Sequence, residues 1–150
     1  MSVNTSALPY ARPQVASSTA VSGLVTFMGR LFFLVIFAQS GPRLFTSGGI
    51  AYATSKGVPM ASLLVPFSGL LAIAGSLSIL LGYRAKIGGW LIALFLIGVT
   101  PMMHKFWGVT DPMAHQLQFN MFMKNLSMLG GALLISQFGA GPWTLDARGK

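Results

Sequence analysis

Four long apolar runs dominate the pattern of hydrophobic and polar positions along the chain. They cover about residues 22–42, 58–82, 87–103 and 116–138. Each run reaches or approaches the ~20 residues that an α-helix needs to cross a hydrocarbon core of ~30 Å. The pattern therefore predicts an all-α fold, in which a polytopic four-helix bundle lies in a membrane.

Polar segments flank the four runs and divide the chain. Residues 1–21 lack periodicity and contain Pro9 and Pro13, which predicts an irregular N-terminal tail. The four-transmembrane-helix domain is predicted over 22–146, and a basic C-terminal tail follows at 147–150.

Basic residues in the connections predict the orientation in the membrane. Cytoplasmic loops of membrane proteins carry an excess of Lys and Arg. With a cytoplasmic N-terminus, five such residues lie inside and three outside: Arg12, Arg84, Lys86, Arg148 and Lys150 against Arg43, Lys56 and Lys105. We therefore predict that both termini are cytoplasmic, and that the long connections 43–57 and 104–115 form structured caps on the outer face.

Small residues recur at helical spacing and predict close packing between helices in lipid. They are Ser68, Ala72 and Ser76, then Ala74, Ser78 and Gly82, together with the pairs Gly88-Gly89 and Gly130-Gly131. Contacts within one chain explain them more simply than a dedicated dimer interface.

Composition agrees with a membrane protein and excludes several other classes. The chain is 53% hydrophobic and only 8% charged, whereas soluble domains contain about 25% charged residues. The net charge is +8, but the basic residues are dispersed without a stripe, so membrane lipids and not nucleic acid are the predicted partners. The absence of cysteine excludes disulfides, thiolate metal sites and iron–sulfur ligation on this chain.

Two cations, Arg30 and Lys124, are the only full charges inside the apolar runs. A charge at the bilayer centre costs at least ~2.5–3.5 kcal/mol on insertion scales, so such residues are candidates for function. The two acids of the chain, Asp111 and Asp146, lie outside the runs. At a rise of 1.5 Å per residue, each cation is expected ~12 Å from its own side of the membrane, close to the midplane.

Polar residues around Lys124 extend this candidate site. Asn120, Lys124 and Ser127 follow helical spacing along one stripe, and Asn125 lies beside it. With Arg30 they form the predicted ligand- or partner-binding site, where Arg30→Leu and Lys124→Leu are expected to weaken binding without impairing folding. Two alternatives remain: Arg30 binds backbone carbonyls while Lys124 snorkels outward, or a carboxylate of a partner chain pairs with the cations.

The segments flanking the fourth run contain the residues expected at the membrane interface: His104, Trp107, His115 and Gln118. Two histidines can in principle ligate haem, but polar caps and belt anchors explain these two better. No nucleophile–base pair, phosphate loop or pair of carboxylates is visible, so no catalytic or metal-ligating residue is assigned. We expect no intrinsic cofactor and no independent catalytic activity.

Several segments resemble the DoxX family over about 22–146. They are Gly29-Arg30-Leu31 with Ser40-Gly41 and Arg43-Leu44, His104-Lys105-Phe106-Trp107, Phe122-Met123-Lys124-Asn125-Leu126 with Gly130-Gly131, and the ending from Gly139-Ala140-Gly141 to Leu145-Asp146. The resemblance implies a multi-pass protein of the bacterial inner membrane. Family members are tied to membrane redox systems, including a thiosulfate:quinone oxidoreductase subunit.

This resemblance, together with the cations, predicts an accessory or small subunit of a quinone-linked membrane redox complex. The expected partners are other membrane-protein subunits, and the expected ligand is a quinone or a phospholipid. The alternatives are a quinone-reactive oxidoreductase subunit of the DoxX/DoxD type and, less favoured, a small-anion transporter. The family often carries a Glu in its second helix, where this chain has Leu71 and Ala72. The missing acid favours a ligand or another subunit as the partner of the cations.

Overall fold

The computed structural model describes residues 16–148, with side chains described from 20 to 146. All regular structure in this part of the chain is helical. The elements are α1 (Ala16–Ser40), a 3-10 helix (Gly41–Phe45), α2 (Ser47–Ser55), α3 (Ala61–Leu81), α4 (Ala85–Met103), α5 (Pro112–Phe138) and the single turn α6 (Leu145–Arg148). The all-α prediction is confirmed for the described residues.

Three helical segments are long and apolar enough to cross a membrane. They are Ala20–Phe45, Ala61–Leu81 and Ala85–Met103, and they correspond to the first three predicted runs. The fourth long helix, α5, has 27 residues and a length of ~40 Å. It falls outside this group because polar side chains interrupt it: Gln116, Gln118, Asn120, Lys124, Asn125 and Ser127.

The first helix is longer at its start than the apolar run that predicts it. It begins at Ala16, so it overlaps the end of the tail predicted at 1–21. Residues 1–15 of that tail, and the last two residues of the chain, lie outside the described residues. At the other end the helix tightens into the 3-10 turn at Gly41-Pro42, because proline lacks an N–H and disfavours helical geometry in the residue before it.

The connection 43–57 is structured, as the sequence predicts. The Thr46 hydroxyl donates to the carbonyl of Arg43 (2.8 Å) and accepts from the N–H of Gly49 (3.1 Å), which caps the start of α2. A side chain on Gly49 would collide with the Arg43 carbonyl, so α2 lies directly against the 3-10 helix. A small second core joins α2 to α3: Ala53, Ala61 and Val65.

Glycines set the spacing between the central helices. A Cβ on Gly88 of α4 would lie 2.8 Å from the carbonyl oxygen of Gly75 on α3, and one on Gly89 would lie 2.7 Å from that of Ala132 on α5. Such close approach needs a residue without a side chain, which confirms the packing role predicted for Gly88-Gly89. Gly130 has no neighbour within 4 Å and plays no such role.

The long helices do not all pack against one another. Helix α3 packs against α1 and α4, and α4 packs against α5, around a core whose largest fully buried side chains are Phe37, Ile79, Ile92 and Leu96. Helices α1 and α5 do not pack along their lengths, although the Phe33 ring lies against Gly131. A cleft therefore remains between α1 and α5.

The C-terminal segment folds back onto the turn between α3 and α4. Asp146 of α6 accepts from the N–H groups of Arg84 (3.0 Å) and Ala85 (3.3 Å), and its own N–H donates to the Gly82 carbonyl (2.9 Å). Arg84 is the N-cap residue of α4 but provides no cap from its own side chain. Asp146 satisfies these amides instead. We call this end of the molecule the tail end, and the end with the 3-10 helix and α2 the α2 end.

Candidate functional site

A cavity of 880 Å³ lies in the half of the molecule near the α2 end. Its walls come from the end of α1, the 3-10 helix, α2, the first half of α3, the second half of α4 and the middle of α5. Most of the lining is apolar: Ile36, Phe37, Leu44, Leu71, Phe95, Val99, Met103 and Met128. The size and apolar character are those of small-molecule sites in proteins.

The cavity reaches the apolar surface of the helices. Phe67 of α3 and Leu94 of α4 belong to its lining and are 53% and 57% exposed. Both lie within segments that are apolar enough to cross a membrane. The lining therefore includes side chains on the apolar outer surface of α3 and α4.

Eight polar or charged residues belong to the lining: Ser40, Arg43, Thr46, Tyr52, Ser68, His104, Lys124 and Asn125. Two of them, Arg43 and Lys124, are basic, and no acidic residue belongs to the lining. The carboxylate of Asp111 accepts from the Ala114 N–H (2.7 Å) and caps α5, while Asp146 caps α4 at the tail end. The cavity thus combines an apolar body with a positively charged polar part.

Lys124 is exposed, and its ammonium lies 3.2 Å from the sulfur of Met121. A thioether is a weak acceptor and cannot balance a charge. An ammonium has three donors, so most of its hydrogen-bonding capacity is free for a ligand. The neighbouring Asn125 is buried, with 7% of its surface exposed.

His104 follows the last residue of α4 and lies at the edge of the cavity. Its Nδ1 is 3.1 Å from the side-chain oxygen of Gln118, and an amide oxygen accepts only, so Nδ1 donates and Nε2 carries no proton. Burial lowers the pKa of His104, and the charges of Lys124 and Lys56 lower this pKa further, against the opposing effect of the Gln118 bond. The imidazole is therefore neutral at pH 7.

Arg30 lies apart from this cavity. It is buried, with 4% of its surface exposed, and its guanidinium donates to the carbonyls of Leu80 (3.1 Å), Trp143 (3.0 Å) and Pro142 (3.4 Å). Side chains on a helix tilt toward its N-terminus, which directs this one toward the last turn of α3 and the chain before α6. The Leu80 carbonyl lies in the last turn of α3, and carbonyls at a helix C-terminus carry partial negative charge, which favours a nearby cation.

The structure therefore separates the two cations that the sequence placed together near the midplane. Arg30 binds backbone carbonyls, which is one of the alternatives left open by the sequence, and only Lys124 lines the cavity. The Arg30 side chain runs back along α1 toward the tail end, where its Nε donates to the Thr26 carbonyl (3.4 Å).

Of the other polar residues predicted around Lys124, one lines the cavity and two do not. Asn125 lines the cavity beside Lys124. Asn120 accepts from the side-chain amide of Gln116 (2.8 Å), and Ser127 donates to a main-chain carbonyl of its own helix (3.0 Å). Both Asn120 and Ser127 are exposed and lie outside the cavity lining.

Residues predicted at the membrane interface form an aromatic cluster around Phe106. Its ring makes edge-on contacts with Trp107, His115 and Phe122, with ring centroids 5.2, 5.8 and 5.4 Å away. Trp107 remains 53% exposed. His115 thus packs against an aromatic ring, while His104 bonds to Gln118 and lines the cavity.

Arg43 is the site residue that sequence reasoning missed. Arg43 lies in a connection between apolar runs, so it served to predict the orientation in the membrane and was not considered as a ligand contact. The 3-10 turn brings it back over the cavity, which no local pattern shows. The resemblance of Arg43-Leu44 to a segment of the DoxX family was the signal that could have identified it.

Comparison with known proteins identifies the family of this chain. The DoxX family model matches residues 25–105, more than half of the chain. The chain belongs to the DoxX family. It is accordingly a membrane protein, and the predicted family is confirmed.

Two relatives of this DoxX protein are similar over most of its length. The "Inner membrane protein YqjF" of Escherichia coli is 28% identical over 121 residues, which cover 79% of this chain and 87% of the relative. The "ER-derived vesicles protein ERV29" of Saccharomyces cerevisiae is 26% identical over 128 residues, or 85% of this chain. The aligned part is only 34% of the yeast protein, so the chain spans about a third of its length. No solved structure gives a significant match.

Proposed function

We propose that this DoxX protein is an accessory or small subunit of a quinone-linked redox complex in the bacterial inner membrane, and that its cavity binds a quinone. The observation that carries the proposal is the cavity itself. It has an apolar body, it reaches the surface of the apolar helices, and it has hydrogen-bonding groups at its polar part. A quinone has the matching parts, since a hydrophobic ring and tail carry two carbonyl oxygens.

The named contacts fit a carbonyl-bearing head. Lys124 and Asn125 supply donors from adjacent positions of α5, and Arg43 supplies donors from the 3-10 helix. The imidazole Nε2 of His104 can accept a hydrogen bond from a hydroxyl of the reduced form. A phospholipid head group would meet the same donors with its phosphate oxygens, so it is the second candidate occupant.

An accessory role is favoured over independent catalysis. The chain lacks cysteine, and the cavity lining contains no acid that could move protons. Electrons must then pass to or from another subunit, which makes other membrane proteins the proposed partners. The neutral His104 in the lining is the observation that favours the alternative, a quinone-reactive oxidoreductase subunit. A transporter for small anions is less favoured because the cavity is mainly apolar.

The proposal includes a membrane arrangement. Helix α5 packs against α4, so we propose that it also crosses the membrane and completes a four-helix bundle. Both termini then lie in the cytoplasm, with the cavity in the outer half. The similarity to an inner membrane protein of Escherichia coli supports this location.

Purification of the native assembly in mild detergent tests the function. Lipids, quinones and co-purifying proteins are identified by mass spectrometry. We expect quinone at close to one molecule per chain, lost in Asn125→Leu and retained in a control with Ser127→Leu, which lies outside the cavity. Quinone at the background level of an unrelated membrane protein, with no co-purifying subunit, would refute the proposal.

The same preparation tests the expected lack of an intrinsic cofactor. We expect no haem Soret band and no stoichiometric transition metal. A band that disappears in His104→Ala would instead make the protein an electron carrier.

A further inference from the structure

The polar part of the cavity has an unbalanced charge that a neutral quinone does not require. Arg43 and Lys124 both line it, and no acid does. We infer that the cavity selects an anionic head, so that among quinones it prefers one with an ionised ring oxygen to its neutral counterpart. This inference rests on the proposed quinone-binding function and adds the charge of the ligand to it.

The charges cannot be balanced by this chain. Its two acids are Asp111 and Asp146, and both carboxylates accept from main-chain amides at helix starts. A second copy of the chain would bring only the same two acids, occupied in the same way. A bound anion would bring a counter-charge that the lining itself does not contain.

Arg43 and Lys124 are both exposed, so the strength of an ionic contact depends on how much water the apolar lining and the bound ligand exclude. Most lining side chains are apolar, and the Coulomb energy of a charge pair rises as the effective dielectric constant falls. The bond from Lys124 to the Met121 sulfur is easily exchanged for one to an anionic oxygen, which is a much better acceptor. An anion would gain these contacts, whereas a neutral carbonyl oxygen would gain a weaker hydrogen bond.

The two cations approach the cavity from different elements. Arg43 lies on the 3-10 helix, and Lys124 lies in the middle of α5. Lysine has a flexible stem and arginine presents a planar fork of donors, so either side chain offers several donors to an oxygen anion. His104 adds no third charge, because it is neutral at pH 7.

Two probes that differ in charge test the selection. They are 1,4-naphthoquinone, which is neutral, and 2-hydroxy-1,4-naphthoquinone, whose hydroxyl is ionised at pH 7. Binding of each is measured by isothermal titration calorimetry with the full chain in nanodiscs of phosphatidylcholine. We expect the anion to bind about tenfold more tightly or better, equivalent to roughly one hydrogen bond to a charged group.

Three variants connect the selection to the site. In Lys124→Gln and Arg43→Gln, the ratio of the two affinities should fall toward one. In Lys86→Gln, which removes a cation at the start of α4 and far from the lining, the ratio should stay as in the parent protein. The ratio within one preparation does not depend on the fraction of folded protein, so partial misfolding cannot imitate the effect.

The outcomes separate this inference from the proposed function. Equal affinity of the parent protein for both probes would overturn charge selection and leave quinone binding in place. A preference that survives in both Lys124→Gln and Arg43→Gln would also overturn it. Binding of neither probe would overturn the proposed quinone site itself.

A final arm identifies the source of the anion. The titrations are repeated in nanodiscs that contain phosphatidylglycerol. One outcome is that phosphatidylglycerol weakens the binding of the anionic probe to the parent protein, while in Lys124→Gln the affinity is the same with and without this lipid. This result would support anion selection and identify a lipid phosphate as a competing occupant. Unchanged binding would support selection of the anionic quinone alone.

Discussion

Replacement of Arg30 by leucine is expected to destabilise the protein, in contrast to the expectation from the sequence. A leucine removes a charge from a long apolar helix and would improve insertion on hydropathy alone. In the structure, however, the guanidinium connects α1 to the carbonyls of Leu80, Pro142 and Trp143. The variant would lose these connections and leave the carbonyls without a donor.

The magnitude follows from these bonds. Hydrogen bonds between helices in membrane proteins contribute on average ~0.6 kcal/mol and up to ~1.7 kcal/mol each, and bonds to charged groups lie toward the upper end. For the three bonds together we expect a loss of about 2–5 kcal/mol in the free energy of unfolding. The relief of the charge is smaller, because an arginine in a separated helix can snorkel to the interface.

Unfolding in detergent micelles with increasing SDS measures the effect. Far-UV circular dichroism follows the helices, and the fluorescence of the three tryptophans, one of which (Trp143) packs against α1 at Gly23, follows the tertiary structure. Arg30→Lys should lose part of the stability, because one ammonium cannot reproduce the planar fork of donors. Lys124→Leu is the matched control and should unfold like the parent protein, since its ammonium bonds only to a thioether.

One result would refute the structural role of Arg30. If Arg30→Leu unfolds within ~0.5 kcal/mol of the parent protein, the carbonyl contacts contribute little to stability. If the same variant also loses bound quinone while folding normally, Arg30 belongs to a binding site after all, as the sequence first suggested.

Further predictions concern helix packing, the C-terminal cap and topology. Gly89→Ala should lower the free energy of unfolding by about 1–3 kcal/mol in the same SDS titration, because its Cβ would lie 2.7 Å from the Ala132 carbonyl oxygen. Gly98→Ala is the control, since a Cβ at Gly98 would have no neighbour within 4 Å. Equal stability of the two variants would contradict the close crossing of α4 and α5. Asp146→Ala should cost about 1–2 kcal/mol and speed hydrogen exchange of the Arg84 amide, whereas unchanged exchange would show that the cap is not formed. Reporters fused to the C-terminus and inserted in the α3–α4 turn should both report cytoplasm, and an external C-terminus would overturn the proposed orientation.

Much of the architecture is predictable from hydropathy, because each apolar run is read from consecutive residues. The third run, 87–103, lies within α4 (Ala85–Met103), and the second run, 58–82, extends only a few residues beyond α3. The close crossing at Gly88-Gly89 was also visible, since small residues matter to packing wherever helices meet in lipid. The fourth run was a weaker case, because α5 carries enough polar side chains to fall outside the segments identified as able to cross a membrane.

The candidate site was predictable only in part. Lys124 and Asn125 were identified because a charge and an amide in an apolar run are unusual at any position. Arg43 was not, because an arginine in a connection is ordinary and only the path of the 3-10 helix brings it to the cavity. His104 was placed at the interface but gained its role in the lining through α4 and its bond to Gln118.

The sequence by itself determined the helical class, the apolar runs and the presence of two unbalanced cations, because these are properties of composition and of neighbours along the chain. The tertiary structure decided what each cation does. Three of the carbonyls bound by Arg30 lie 50, 112 and 113 positions away from it, and Asp146 accepts from an amide 62 positions away. Hydrogen bonds form between groups that are close in space, and the fold alone sets which distant segments meet. Hydropathy therefore predicts the same role for Arg30 and Lys124. The packing of the helices distinguishes them, because Arg30 bonds to the backbone of distant segments and Lys124 lines the cavity.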